Sequence, residues 1–229
     1  MNFFCGSNYS TSIKSVSSRS GRPKVLCLHG FRTSGLILER QMAAMRCHVD
    51  ADFVYMDGPF EATGPPDSGV RIFYPNLPYY EWYSLSYSQE AISRSMELIL
   101  KELRENGPYD GILGFSQGAC MATRVAYRLQ SCPEEFKGLS LKYVILIGGV
   151  PPNESEKSVP FSPITLPNLH IMGDEDYVLD RSVILQNNWY DSKNSELLKH
   201  SGGHHIPPLR SGLYPAINTF IRKHKEGCC

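Results

Sequence analysis

Two rhythms of apolar residues alternate along the chain. Lys24 to Leu28, Ala51 to Met56, Tyr109 to Phe115 and Leu141 to Ile147 are short, nearly continuous apolar runs. They predict strands covered on both faces, because a half-exposed strand would alternate with polar residues. Leu166 to Met172 and Glu196 to Lys199 add two candidate strands. Ser34 to His48 is amphipathic, and Glu90 to Glu105 repeats Ile92, Met96, Ile99, Leu100 and Leu103 at helical spacing before stopping at Asn106-Gly107-Pro108. Gln117 to Leu129, Ser182 to Asn187 and Tyr214 to His224 complete the predicted helices. Strand and helix in alternation predict an α/β fold, a mainly parallel sheet flanked by helices on both faces.

One connection breaks the rhythm. Residues 57–88 show little periodicity, yet Phe73, Tyr74, Tyr79, Tyr80, Trp82, Tyr83 and Tyr87 crowd together there. A connection this long inside a compact domain is usually functional or mobile. Two readings stand side by side: an aromatic lid over an acyl group, or a satellite hydrophobic cluster that closes the loop on itself.

Composition narrows the class. At 229 residues, the chain predicts one domain over 23–225, with a Ser-rich tail over 1–22 and a short tail over 226–229. Lys plus Arg equals Asp plus Glu at 23 each, so no net field favours nucleic acid or an anionic membrane. The seven cysteines are scattered and never spaced C-x-x-C, which implies neither a disulfide framework nor a zinc site. No apolar stretch is long enough to span a bilayer. These features predict a cytoplasmic protein. The Ser-rich start, with three basic residues and the first acid only at Glu39, gives the alternative of a short organellar transit peptide. Cys228-Cys229 after basic residues is a candidate for lipidation, with a plain frayed tail as the simpler reading.

The chemistry begins at Gly114-Phe115-Ser116-Gln117-Gly118, a G-x-S-x-G pentapeptide. The bare pattern is weak, but here it lies between a predicted strand and a predicted helix, as a nucleophile elbow requires. Such a turn presents Ser116 Oγ at the mouth of the sheet and aims the N–H groups of the helix N-terminus at the same space. A serine hydroxyl needs a base, and the base needs an orienting acid. His200-Ser201-Gly202-Gly203-His204-His205 offers either His204 or His205, while Gly173-Asp174-Glu175-Asp176 places acids at a strand's C-terminal end. Serine, acid, then histidine is the chain order of an α/β-hydrolase. After the first strand, Leu28-His29-Gly30-Phe31 offers the Phe31 N–H beside that of Gln117 as a two-donor oxyanion hole, with His29 a buried support for the loop. This chemistry calls for no metal or organic cofactor.

These motifs, together with Asp57-Gly58-Pro59, Trp82-Tyr83 and the lead-in Tyr109-Asp110-Gly111-Ile112, resemble the group called the family of serine hydrolases. These are fungal, plant and animal α/β-hydrolase esterases that include the ovarian-cancer-associated hydrolase of vertebrates. The resemblance implies an α/β-hydrolase fold, with Ser116 as nucleophile, Asp176 as the acid and His204 as the base. It further implies small-molecule acyl esters of medium to long chain as substrates, with Trp82 and Tyr83 of the aromatic segment as substrate contacts. The acyl-protein thioesterase and carboxylesterase group shares a Gly-Phe-Ser-Gln-Gly elbow and is the nearest competitor. A reading from another class is a ligand-binding protein that keeps the scaffold without turnover.

Overall fold

A computed structural model describes residues 21–86, 88–157 and 161–225. The Ser-rich start, Tyr87 and the Cys228-Cys229 pair therefore lie outside the described residues. Six strands form one parallel sheet in the order β2-β1-β5-β6-β7-β8: β1 Lys24–Leu28, β2 Asp52–Met56, β5 Gly111–Phe115, β6 Tyr143–Ile147, β7 Asn168–Gly173 and β8 Ser195–His200. Between β2 and β5 a small antiparallel pair, β3 Phe60–Glu61 and β4 Tyr80–Glu81, brackets a short helix, α3 Ser68–Phe73.

Each central strand is buried on both sides, and alternate residues serve opposite cores. Val25, Cys27, Leu113, Ile145, Ile147 and Ile171 face one layer, made of α1 Gly35–Gln41, α2 Ala43–His48 and α7 Tyr214–Lys225. Leu26, Leu28, Ile112, Val144 and Leu146 face the other, made of α4 Gln89–Glu105, α5 Gln117–Ser131 and α6 Leu179–Trp189. This explains the unbroken apolar runs, since a period of two has no polar face to show when both faces are covered. At the edge, β8 takes the looser pattern of a strand with partly exposed positions.

The expected helix from Ser34 to His48 is two helices. Ser34 caps the first by accepting from the Ile37 N–H at 3.3 Å, and Met42, at φ −86° and ψ 8°, is the joint. The bend keeps Leu38, Met42, Met45 and Val49 all within the core. The helix read as Ser182 to Asn187 extends over Leu179–Trp189, where Leu185 and Trp189 are buried.

Strand order determines where a ligand can sit. From β1 the chain moves outward to β2, then returns to the other side of β1 at β5. Beyond the carboxyl ends of β1 and β5, the connections therefore leave in opposite directions and open a crevice. The Gly30-Phe31 turn ends one of these strands and Ser116 follows the other.

Candidate active site

Ser116 joins β5 to α5 at φ 54° and ψ −114°. Among the described residues only Arg32 and Ser116 are non-glycine residues with positive φ, and they sit on the two turns that flank the crevice. Such a backbone costs about 1–3 kcal/mol and persists only where its surroundings enforce it. The flanking glycines supply the enforcement. A Cβ on Gly114 would lie 2.4 Å from the Ala119 backbone, and one on Gly118 would lie 2.1 Å from Leu28 O. The helix therefore packs directly on the ends of β1 and β5, and Ser116 has one place to go. A Cβ on Gly30 would stand 3.5 Å from Ser116 Cβ, so the turn carrying Phe31 lies against the serine.

The two distant loops meet this elbow. His204 Nε2 is 2.9 Å from Ser116 Oγ, and its Nδ1 lies 3.0 and 2.9 Å from the two carboxylate oxygens of Asp176. Asp176 is nearly buried, and its Oδ1 also accepts the Val178 N–H at 2.8 Å, which fixes the carboxylate at the start of α6. A carboxylate held against Nδ1 leaves the Nε2 lone pair toward the hydroxyl, the tautomer in which an imidazole accepts a proton from serine. Of the local alternatives, Asp174 is exposed and pairs with Lys199 at 3.7 Å, while His205 donates through Nδ1 to Ile206 O at 2.9 Å. The His204 ring is flanked by Phe115 at 4.9 Å and by Tyr177 at 4.8 Å between centroids.

The oxyanion candidates occupy the right elements. Gln117 is the first residue of α5, where a backbone N–H has no intrahelical acceptor. Behind the Phe31 turn, His29 is fully buried, and burial lowers its pKa to about 4. Its Nε2 accepts the Gly58 N–H at 2.9 Å, which leaves Nδ1–H to donate to Gly30 O at 2.7 Å. His29 is thus a neutral brace for the turn.

Trp82 and Tyr83 require a correction. Trp82 is completely buried and Tyr83 nearly so, within the core beneath α4 and α5. Neither presents an open ring face to solvent, and large aromatics gain most from such removal from water. Instead they anchor the elbow. Gln117 Oε1 accepts the Trp82 N–H at 3.0 Å, Gln117 Nε2 donates to Tyr83 O at 2.8 Å, and Trp82 Nε1 donates to His29 O at 2.9 Å. The exposed apolar part of the same connection is Ile72, Phe73 and Leu85.

Several contributors were not legible in the sequence. Arg32 reaches back from the Phe31 turn to Pro65 O, Thr63 Oγ1 and the buried Glu81, tying the 60–81 connection to the site. Nothing in the spacing of these residues pairs them. Gly148, at φ 51°, lies where a Cβ would be 3.0 Å from both the Asp176 carboxylate and the His204 ring. A cavity of about 520 Å³ between α4 and α5 is lined by residues such as Met96, Leu100, Tyr127 and Trp189, and by none of Ser116, Asp176 and His204. No cluster of metal-ligating side chains occurs among the described residues, and no described helix is long and apolar enough to cross a membrane.

A doubly covered parallel sheet with a serine elbow at its switch point is an α/β-hydrolase, and the solved structures it resembles agree. Over 94% of this chain and 98% of the other, it matches the crystal structure of esterase PE8 with a TM-score of 0.65 at 21% identity. Over 92% of this chain and 98% of the other, it matches acyl-protein thioesterase 2 of Zea mays with a TM-score of 0.62 at 18% identity. Within that class the chain belongs to the serine hydrolase (FSH1) family, whose sequence profile matches residues 19–213. It is 31% identical to human esterase OVCA2 over 86% of this chain and 96% of that protein. It is 32% identical to esterase FUS5 of Gibberella moniliformis over 81% of this chain and 80% of that protein.

Proposed function

We propose that the protein is a serine esterase that cleaves carboxylic esters through an acyl-enzyme on Ser116. His204 Nε2 takes the serine proton as Oγ attacks the acyl carbon, then delivers that proton to the departing alcohol. In the second half of the cycle the same imidazole takes a proton from water as its oxygen attacks the acyl carbon, then returns that proton to Ser116 Oγ as the acyl–oxygen bond breaks and the acid leaves. Asp176 holds the imidazole in one tautomer and stabilises the cation formed on the way. The Phe31 and Gln117 backbone N–H groups receive the carbonyl oxygen as it becomes an oxyanion, each worth roughly a hundredfold or more in rate. The single observation that carries this reading is the continuous relay from Ser116 Oγ to His204 Nε2 at 2.9 Å and from His204 Nδ1 to Asp176 at 2.9 Å.

The substrates proposed are small acyl esters of medium to long chain, because the exposed Ile72, Phe73 and Leu85 lie on the connection that the Arg32 contacts hold against the oxyanion turn. Thioesters react by the same steps, and the structural likeness to a thioesterase makes them the second substrate class to test. Reaction with a fluorophosphonate, lost in Ser116→Ala, tests the nucleophile. Rates on p-nitrophenyl esters of increasing chain length test the substrate class. Absence of labelling in the folded protein would leave a binding protein on a hydrolase scaffold, and a steep preference for acetate would overturn the chain-length assignment.

A further inference from the structure

The loop that bears His204 is fastened at its base by another histidine. His200 ends β8, sits opposite Gly173 in the sheet register, and is only 6% exposed. Its Nδ1 lies 3.2 Å from the Gly202 backbone nitrogen. A backbone N–H only donates, so Nδ1 carries the lone pair and the neutral ring holds its proton on Nε2. The same turn is tied to the loop of the acid: Glu175 N–H donates to Gly202 O at 3.1 Å, and Asp174 N–H donates to His200 O at 2.8 Å. The packing leaves no slack. A Cβ on Gly173 would lie 2.2 Å from Gly202 O, 2.7 Å from Gly203 O and 3.0 Å from His200 Cε1. One short turn therefore joins the end of β8, the 174–176 loop and His204.

We propose that His200 is a positioning residue: as a neutral acceptor its Nδ1 sets the Gly202-Gly203 turn that keeps His204 within reach of Ser116, and protonation of His200 releases that turn. This rests on the role proposed for His204. A proton on Nδ1 would place one N–H against another, exchanging a hydrogen bond for a repulsion in a nearly buried spot. The charged groups that face His200 set the direction. Burial acts first to lower its pKa below the usual 6.5, and His205 across the turn, with the rings 5.1 Å apart, lowers it further. Asp176 and Asp174, on the loop after β7, oppose this, while Lys199, the preceding residue on β8, is drawn to Asp174 at 3.7 Å. His200 is thus neutral near pH 7, and the fastening is lost only on the acid side.

The test compares wild type, His200→Leu, His200→Asn and Ser116→Ala by kcat and KM on one p-nitrophenyl ester across the acid limb, with thermal unfolding of each. Asn offers Oδ1 near the place of Nδ1 and does not titrate. Misplacing a reacting group by about an ångström costs roughly a hundredfold, so His200→Leu is expected to lose about that factor in kcat with little change in KM, and His200→Asn to return to within about threefold of wild type. The wild-type acid limb should steepen beyond a single-proton slope, and that of His200→Asn should keep the single-proton slope. A folded His200→Leu with wild-type kcat overturns the proposal, as does a His200→Asn limb as steep as wild type. Should His200→Leu not fold, the Asn slope alone decides. Full turnover by Ser116→Ala would instead overturn the hydrolase reading, which separates the two failures.

Discussion

Gln117 is the residue whose removal tests how the elbow is built. Its side chain bridges two backbone groups of the 82–83 segment, accepting from Trp82 N–H at 3.0 Å and donating to Tyr83 O at 2.8 Å, where Trp82 has no exposed surface. Gln117→Ala takes both partners away in a place water reaches poorly. Each buried polar group deprived of a partner costs about 1–3 kcal/mol, so the pair sums to roughly 3 kcal/mol after some relaxation. In a chain of 229 residues, each kcal/mol moves the melting temperature by about 2–4 °C, giving a fall of roughly 6–12 °C by calorimetry or circular dichroism. Gln117→Glu should do no better than Ala. It keeps an acceptor for Trp82 N–H but turns a carboxylate oxygen toward the Tyr83 carbonyl, where an amide donated. The backbone N–H assigned to the oxyanion survives both changes, so ester turnover well below the melting range should fall less than stability does. A Gln117→Ala protein that melts within about 2 °C of wild type, at most about 1 kcal/mol, would refute this account of the clamp.

Two further outcomes follow from buried and exposed rings. His170 is almost fully buried in β7, its Nε2 finds no hydrogen-bond partner among the described residues, and burial lowers its pKa from 6.5 to about 3. Between those values the unfolded chain binds the proton and the folded one does not, so each unit of decrease in pH costs roughly 1.4 kcal/mol of stability through this group. His170→Leu should move the acid-unfolding midpoint to lower pH, and an unchanged midpoint would contradict the assignment. Tyr177 is exposed but covers one side of the His204 ring at 4.8 Å. Losing an aromatic contact worth about 0.5–1.5 kcal/mol predicts a roughly two- to tenfold fall in kcat/KM for Tyr177→Ala with little change in melting temperature, and a large loss of stability with unchanged kcat/KM would show the ring to be structural.

The sheet was legible because its strands are covered on both faces, so Val25 to Leu28, Ile112 to Phe115 and Val144 to Ile147 leave apolar runs that short polar strands never imitate. The elbow was legible for a related reason: Gly114 and Gly118 are forced by backbone contacts that accept no side chain, and such constraints write themselves into sequence as a set spacing within one motif. Choosing His204 over His205 and Asp176 over Asp174 needed the resemblance, since both members of each pair have the same local chemistry. What separates them is which way a turn points. The break at Met42 left no mark because Leu38, Met42 and Met45 keep a plausible helical stripe on either side of the joint. Arg32 and Glu81 were invisible as a pair because residues far apart in sequence meet only once the 57–88 connection has folded.

That connection held two readings, a lid or a self-closing cluster, and burial differs along its length. Ile72 and Phe73 stand exposed on α3, while Trp82 and Tyr83, a few residues further on, are core. The buried half holds the elbow through Gln117 and, by Trp82 Nε1 on His29 O, the base of the Phe31 turn as well. A single aromatic anchor therefore fixes both strand ends that bear the proposed oxyanion donors. An oxyanion site needs donors that do not reorganise when charge develops, and bracing both from one buried residue, through its backbone N–H and its indole, supplies that rigidity. The exposed half is the part proposed above to meet a substrate. Ile72 and Phe73 are exposed rather than packed in the core that holds Trp82, so chain-length preference and the chemical step should respond to separate substitutions.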